Sequence, residues 1–167
     1  MQPSVVEYCR PFATDRKVRG LDIGGRDVFS ADGHCARDLW PNARWDVLDL
    51  VDAPEVTIVA DARTFRSRRR WDVILCTETL EHVEGWPQLI DTAVRHLARG
   101  GRLIVTCAGP GWEPHSGFTG ELGEFEGEHY ENVPADDLGW EMQMAGLTDV
   151  QVEQAGRDTH GTGVNGG

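Results

Sequence analysis

Short apolar runs alternate along this chain with stretches whose apolar residues recur at helical spacing. Residues 18–23 run apolar into a pair of glycines, and 44–50 (RWDVLDL) and 56–60 (VTIVA) follow as further strand candidates. Residues 71–76 (WDVILC) form a nearly continuous apolar run, the mark of a strand buried on both faces of a parallel sheet. Over 86–98, Leu89, Ile90, Ala93, Val94 and Leu97 lie at i, i+1, i+4, i+5 and i+8, one stripe of an amphipathic helix. Gly100-Gly101 is expected to close that helix, because a left-handed C-terminal cap favours glycine. Residues 102–107 (RLIVTC) read as a fifth strand, 134–146 as a helix opened by proline, and 150–153 as a sixth strand. Shorter helices are expected over 4–12 and 32–40.

Strand and helix alternating at this spacing predict βαβ units and a doubly wound, mostly parallel sheet of Rossmann-like α/β class. One domain is expected over residues 1–167, with its core over about 18–156. Residues 157–164 (RDTHGTGV) are poor in strand formers, so the last strand is expected to be weak and 157–167 loose. Little chain precedes the first strand, which predicts a minimal N-terminal cap. In such sheets ligands bind beyond the carboxyl ends of the strands, so the residues that follow each strand carry the functional question.

Composition narrows the classes. Hydrophobic residues make up 40% and charged residues 26%, ordinary for a globular protein. The net charge of −12 argues against non-specific affinity for nucleic acid, which Lys and Arg drive. The dense basic stretch Arg66, Arg68, Arg69 and Arg70 reads as a solvated loop before a strand. No apolar run reaches the roughly 20 residues that span a membrane, and MQPSVVEYCR lacks the layout of a secretory leader, so a cytoplasmic protein is expected. Cys9, Cys35, Cys76 and Cys107 form no C-x-x-C pair and are expected to be free thiols.

The first strand ends in Asp22-Ile-Gly24-Gly25-Arg26. Glycines let the backbone bend sharply and admit a ligand without a Cβ in the way, but a structural turn needs small residues equally. The G-x-G-x-x-G of dinucleotide sites is missing, which disfavours an NAD-dependent oxidoreductase. The second strand ends in Asp49, placed to accept hydrogen bonds from ribose hydroxyls, and the third in Asp61-Ala62, where a carboxylate could accept from an exocyclic amine. Each acid alone is equally a loop residue or helix cap. Three acids on three successive strand ends are a less common accident.

The ordered series LDIGGRDV, DVLDL, VADA, DVILCTETLEHV and LARGGRLIVTCAG resembles the class I S-adenosylmethionine-dependent methyltransferases, in particular their small-molecule branch with an LEHV segment after the fourth strand. The resemblance covers about residues 18–152. It implies that Asp22, Gly24 and Gly25, with Arg26 beside them, line the methionine end of S-adenosylmethionine. Asp49 would hold the ribose with Leu50 flanking the adenine, Asp61 would accept from the adenine amine with Ala62 beside the ring, and Thr77 and Glu78 would lie near the sulfonium. The family loop has more glycine where this chain has Arg26.

Methyl transfer asks an enzyme to align the nucleophile and, for an –OH acceptor, to remove its proton. His82 and His129 are the candidate bases, with helix-start hydrogen bonding the structural alternative for His82. Residues 109–133, long for a connection and rich in Gly, Glu, His and aromatics, are expected to cover the active site, with His115, His129 and Tyr130 as substrate contacts. Glu113, Glu124 and Glu128 have no fixed metal-ligand spacing with those histidines, and no metal is expected. No N/D-P-P-Y/F follows the fourth strand, no Pro-Cys occurs, and one lysine cannot supply a K-D-K-E set; each absence disfavours nucleic-acid methylation. The expectation is a small-molecule acceptor, with a homodimer or partner completing the site. The competing expectation is a non-catalytic S-adenosylmethionine-binding module that needs a partner.

Overall fold

In the computed structural model, residues 3–26 and 35–167 are described. The strands are β1 (Arg19–Ile23), β2 (Arg44–Asp49), β3 (Ile58–Val59), β4 (Trp71–Thr77), β5 (Leu97–Ala108), β6 (Leu147–Ala155) and β7 (Asp158–Asn165). They form one sheet in the order β3-β2-β1-β4-β5-β7-β6, parallel except for β7, which runs antiparallel to both of its neighbours. This is the expected doubly wound α/β arrangement. The strand order reverses between β1 and β4, so the ligand crevice of such a sheet lies at their carboxyl ends.

Side-chain alternation along the central strands divides the core into two layers. On one face, Ile74 and Cys76 of β4 join Leu21 and Ile23 of β1 and Leu103, Val105 and Cys107 of β5. Helix α2 (Trp86–His96) covers this face with Leu89, Ile90, Ala93 and Val94, the stripe that the sequence displays. Helix α3 (Ala135–Met144) adds Leu138 and Met142. On the other face, Val73, Leu75 and Ile104 pack against Val5 and Cys9 of α1 (Pro3–Cys9) and against Ala36 and Trp40. Trp71, fully buried at the start of β4, donates its indole N–H to Asp46 at 2.9 Å, which satisfies the ring's polar atom inside the core.

Three expectations are corrected. Gly100 and Gly101 do not cap α2: the helix ends at His96, and both glycines lie in the bulged start of β5, Gly100 at φ +73°. A Cβ on Gly101 would lie 2.9–3.1 Å from three backbone oxygens, so close chain packing is what demands glycine there. The tail is not loose over its whole length either, because Asp158–Asn165 is β7, paired on both sides and inserted between β5 and β6. Its glycines read as weak strand formers, yet a Cβ on Gly161 would meet Leu138 and Met142 of α3 at 2.9 and 3.1 Å. Thr159 and Thr162 donate their hydroxyls to the carbonyls of Val133 and Leu103 at 2.7 and 2.9 Å. Pairing on two sides overrides propensity. The expected helix over 32–40 falls partly outside the described residues; within them, Ala36–Leu39 is a short 3-10 turn.

Cys9, Cys76 and Cys107 are buried and free, and Cys35 is free and half-buried. Arg69 of the basic stretch pairs with Asp46 at 3.3 Å on the surface. No helix among the described residues is long and apolar enough to cross a membrane.

Candidate active site

A cavity of about 390 Å³ opens at the carboxyl ends of β1, β2 and β4, a size that falls within the roughly 300–1,000 Å³ of small-ligand sites. Asp22, Gly24, Gly25, Arg26, Asp49, Leu50, Asp61, Ala62, Thr77, Glu78, His82 and His129 all line it. The structure therefore brings together every residue that the sequence singled out for cofactor or proton. His115 and Tyr130, expected as substrate contacts, are not among its lining residues; their rings meet edge-on with centroids 4.8 Å apart and both pack against His82.

The first wall is the turn after β1. Gly24 adopts φ +70° and donates its N–H to the carbonyl of Leu48 at 2.8 Å, tying the turn to β2. A Cβ there would lie 2.3 Å from the Thr79 hydroxyl, and one on Gly25 would lie 2.5 Å from the Asp22 carboxyl. Both glycines are thus fixed by close approach as well as by the bend.

Each of the three strand-end acids carries an arginine. Asp22 meets Arg37 Nε at 3.3 Å, Asp49 meets Arg26 Nε at 3.8 Å, and Asp61 meets Arg63 Nη2 at 2.8 Å. The three pairs differ in closeness. Asp22 is buried, which pushes its carboxyl up to about 7 against the pull of Arg37, and its Oδ1 has no hydrogen-bond partner. Asp49 accepts from Val51 N–H at 2.9 Å and from Arg26 N–H at 3.4 Å. Asp61 is engaged on both oxygens: Oδ1 accepts from Arg63 N–H and Nε, and Oδ2 from Nε and Nη2, at 2.8–3.2 Å. These bonds hold its carboxyl below the ordinary range. Arg37 and Arg63 belong to no sequence motif and were not legible; the strand-end acids were the signal that anions there would need partners.

The second wall follows β4. Glu78 sits at φ +53°, a left-handed conformation that costs a side-chain-bearing residue on the order of 1–2 kcal/mol. Two bonds to Thr106 hold it there: Glu78 N–H donates to the Thr106 carbonyl at 2.7 Å, and the Thr106 hydroxyl donates to Glu78 Oε1 at 2.9 Å. Burial lifts the Glu78 carboxyl to about 6. Glu81 is fully buried and raised well above the ordinary range, first by burial and then by the Glu78 charge. Burial also depresses His82 to about 4, leaving its ring neutral at pH 7.

The third wall is the segment over 109–133, and it does cover the site. Ser116, fully buried, donates to the Glu128 carboxylate and accepts the N–H groups of Phe118 and Thr119 at 3.1 and 3.0 Å. Glu128 Oε2 also accepts from Gly117 N–H at 3.0 Å. This knot presents Gly117, Phe118, Gly127, Glu128 and His129 to the cavity. Glu128 is thus spent on the loop's own structure. Phe118 lies under the Arg26 guanidinium at 5.8 Å, so Arg26 links the first and third walls. His129 Nε2 lies 3.3 Å from Glu131 Oε1.

A family model described as "Methyltransferase domain" matches residues 3–152. No curated protein matches the chain in sequence. Among solved structures, the N-methyltransferase NodS from Bradyrhizobium japonicum, in complex with S-adenosyl-L-homocysteine, is similar with TM-score 0.63 and 19% identity over 97% of this chain and 84% of that one. The 1,6-didemethyltoxoflavin-N1-methyltransferase of Burkholderia thailandensis, with bound 1,6-didemethyltoxoflavin and S-adenosylhomocysteine, gives 0.66 and 16% over 98% and 77%. DhpI in complex with S-adenosylhomocysteine gives 0.69 and 16% over 98% and 83%. The methyltransferase SibL, in its apo form, is 20% identical with TM-score 0.61; the match covers 88% of this chain but only 50% of SibL. These likenesses establish the fold.

Proposed function

The chain belongs to the methyltransferase domain family, and we propose that it transfers a methyl group from S-adenosylmethionine to a small-molecule acceptor, releasing S-adenosylhomocysteine. One observation carries this reading: Asp22, Asp49 and Asp61, from three successive strand ends, converge with the Gly24–Gly25 turn on a single cavity. Relatives of the same fold crystallised with S-adenosylhomocysteine support it.

The residues present suit that cofactor. Asp22 Oδ1, buried without a partner, offers an acceptor to a cationic amine at the methionine end. Asp49 accepts ribose hydroxyls, and Leu50, 64% exposed on the cavity rim, flanks the base. Asp61 with Ala62 would meet the adenine, and Thr77 and Glu78, which line the cavity at the end of β4, would hold the methyl-bearing end of the cofactor. The cofactor supplies a methyl group on a cationic sulfur, a leaving group that needs no general acid. What the chain contributes is alignment, exclusion of water by the 109–133 segment and, for an –OH acceptor, a base.

His129 is the better base of the two candidates. It lines the cavity, with Glu131 Oε1 3.3 Å from its Nε2, whereas burial leaves His82 too weak a base to take a proton near pH 7. The setting proposed is cytoplasmic. A second copy or partner is proposed to complete the acceptor side, over the exposed Phe118 and Leu122 of the covering segment. The test is S-adenosylhomocysteine release across a panel of small hydroxyl and amine acceptors. His129→Ala should lower turnover of the best hydroxyl acceptor about a hundredfold and leave the affinity for S-adenosylhomocysteine within about twofold. An unchanged rate removes His129 from the chemistry.

A further inference from the structure

Directly behind the acceptor side of the cavity stands a group of side chains that methyl transfer as described leaves unused. Glu81, from the turn after β4, is fully buried. Its Oε1 accepts the Ala108 N–H at 3.2 Å, while its Oε2 is buried with no hydrogen-bond partner. His82, next in the chain, lines the cavity and has a buried Nδ1 that is likewise unpartnered. His115 comes from the covering segment, and its ring lies 4.9 Å from that of His82 at a steep angle, 82° between planes. Tyr130 packs against both rings, at 5.6 and 4.8 Å.

Two orphaned polar atoms at one place, one of them on a carboxylate, are an expensive arrangement without an occupant. One donor atom from each of the three residues falls within 4.8 Å of the other two. A common centre therefore lies no more than about 2.8 Å from each donor, against roughly 2.0–2.2 Å for zinc bound to imidazole nitrogen or carboxylate oxygen. Donor shifts of at most about 0.8 Å would close the difference. His115 Nδ1 lies 3.1 Å from the Glu113 carbonyl, and a proton donated there would leave Nε2 as the free lone pair. Ligating histidines are held this way, their second nitrogen donating to a backbone carbonyl.

We propose that Glu81, His82 and His115 form a binding site for a divalent first-row transition metal, zinc above all. Two imidazoles and one carboxylate are the donor set of open zinc sites, which keep a further position for water or substrate. His82 lies on the cavity wall, so an ion on it borders the acceptor space. Only that consequence, an acceptor bearing an oxygen donor able to take the open position, rests on the methyl-transfer reading; the site itself does not.

The experiment is titration of the full chain, freed of any affinity tag and of metal, with Zn²⁺ by calorimetry and with Co²⁺ by visible absorption. S-adenosylhomocysteine affinity is measured on the same samples. One equivalent of each metal should bind, with Co²⁺ giving the intense d–d bands of a low-coordinate site. Glu81→Gln keeps an acceptor for Ala108, and His115→Ala alters a half-buried loop residue; each should weaken metal binding at least tenfold, with S-adenosylhomocysteine affinity held. Equal metal affinity in wild type and both variants, or no stoichiometric binding by the wild type, overturns the site. Failure to bind S-adenosylhomocysteine while the metal still binds overturns the methyl-transfer reading alone.

Discussion

At the scale of single residues, the site is built from acids whose surroundings make them unequal. Asp22 holds its proton up to about 7 because it is buried, whereas an unfolded aspartate releases its proton near 3.9. Between those values the folded state binds a proton that the unfolded chain does not, so stability falls as pH rises through the window and is level above it. Asp22→Asn removes that titration. The stability of wild type relative to the variant should therefore fall by about 2 kcal/mol between pH 5.5 and 7.5, read from urea unfolding at the two values. Asp61 poses a different problem. Arg63 occupies both of its oxygens, so an adenine amine has to compete for them. Arg63→Ala should tighten S-adenosylhomocysteine binding severalfold, and weaker binding would mean that Arg63, not Asp61, meets the ligand. The acids were legible because each ends an apolar run. Of their arginines, Arg26 stood in the first turn and was legible, but Arg37 and Arg63 were not, since Arg37 comes from a different element and Arg63 from a turn without pattern.

At the scale of elements, sequence pattern succeeded where burial on one face repeats and failed where the chain packs on itself. The stripe of α2 and the apolar run of β4 were readable because both follow from how their side chains meet the core. Gly100-Gly101 looked like a helix cap because glycine serves caps and bulges equally, and only the three backbone oxygens around Gly101 distinguish them. Gly101→Ala should accordingly destabilise the fold by about 1–3 kcal/mol, the cost of overpacking, measured as a drop in the denaturant midpoint at constant slope. An unchanged midpoint would return these glycines to a capping role. For β7, polar threonines and glycines concealed a strand because its stability comes from neighbours on both sides, which local propensity does not register.

At the scale of the whole molecule, the sheet order β3-β2-β1-β4-β5-β7-β6 brings residues from distant parts of the chain to one rim. The turn after β1, the ends of β2 and β3, the LEHV turn and the covering segment meet there. Most of that convergence follows from the order of strands, and so from the sequence. What did not was the depth behind the rim: LEHV served as a marker, while the burial of Glu81 and its approach to His115 depend on how the 109–133 segment folds back. The central claim is that this rim holds S-adenosylmethionine. Calorimetric titration of the purified chain with S-adenosylmethionine, S-adenosylhomocysteine and NAD tests it most directly, with Asp49→Ala as the control. Saturable one-to-one binding of the first two, no binding of NAD, and at least a tenfold loss in a folded Asp49→Ala protein are the results expected. Binding of NAD alone, or of none of the three, would contradict the account.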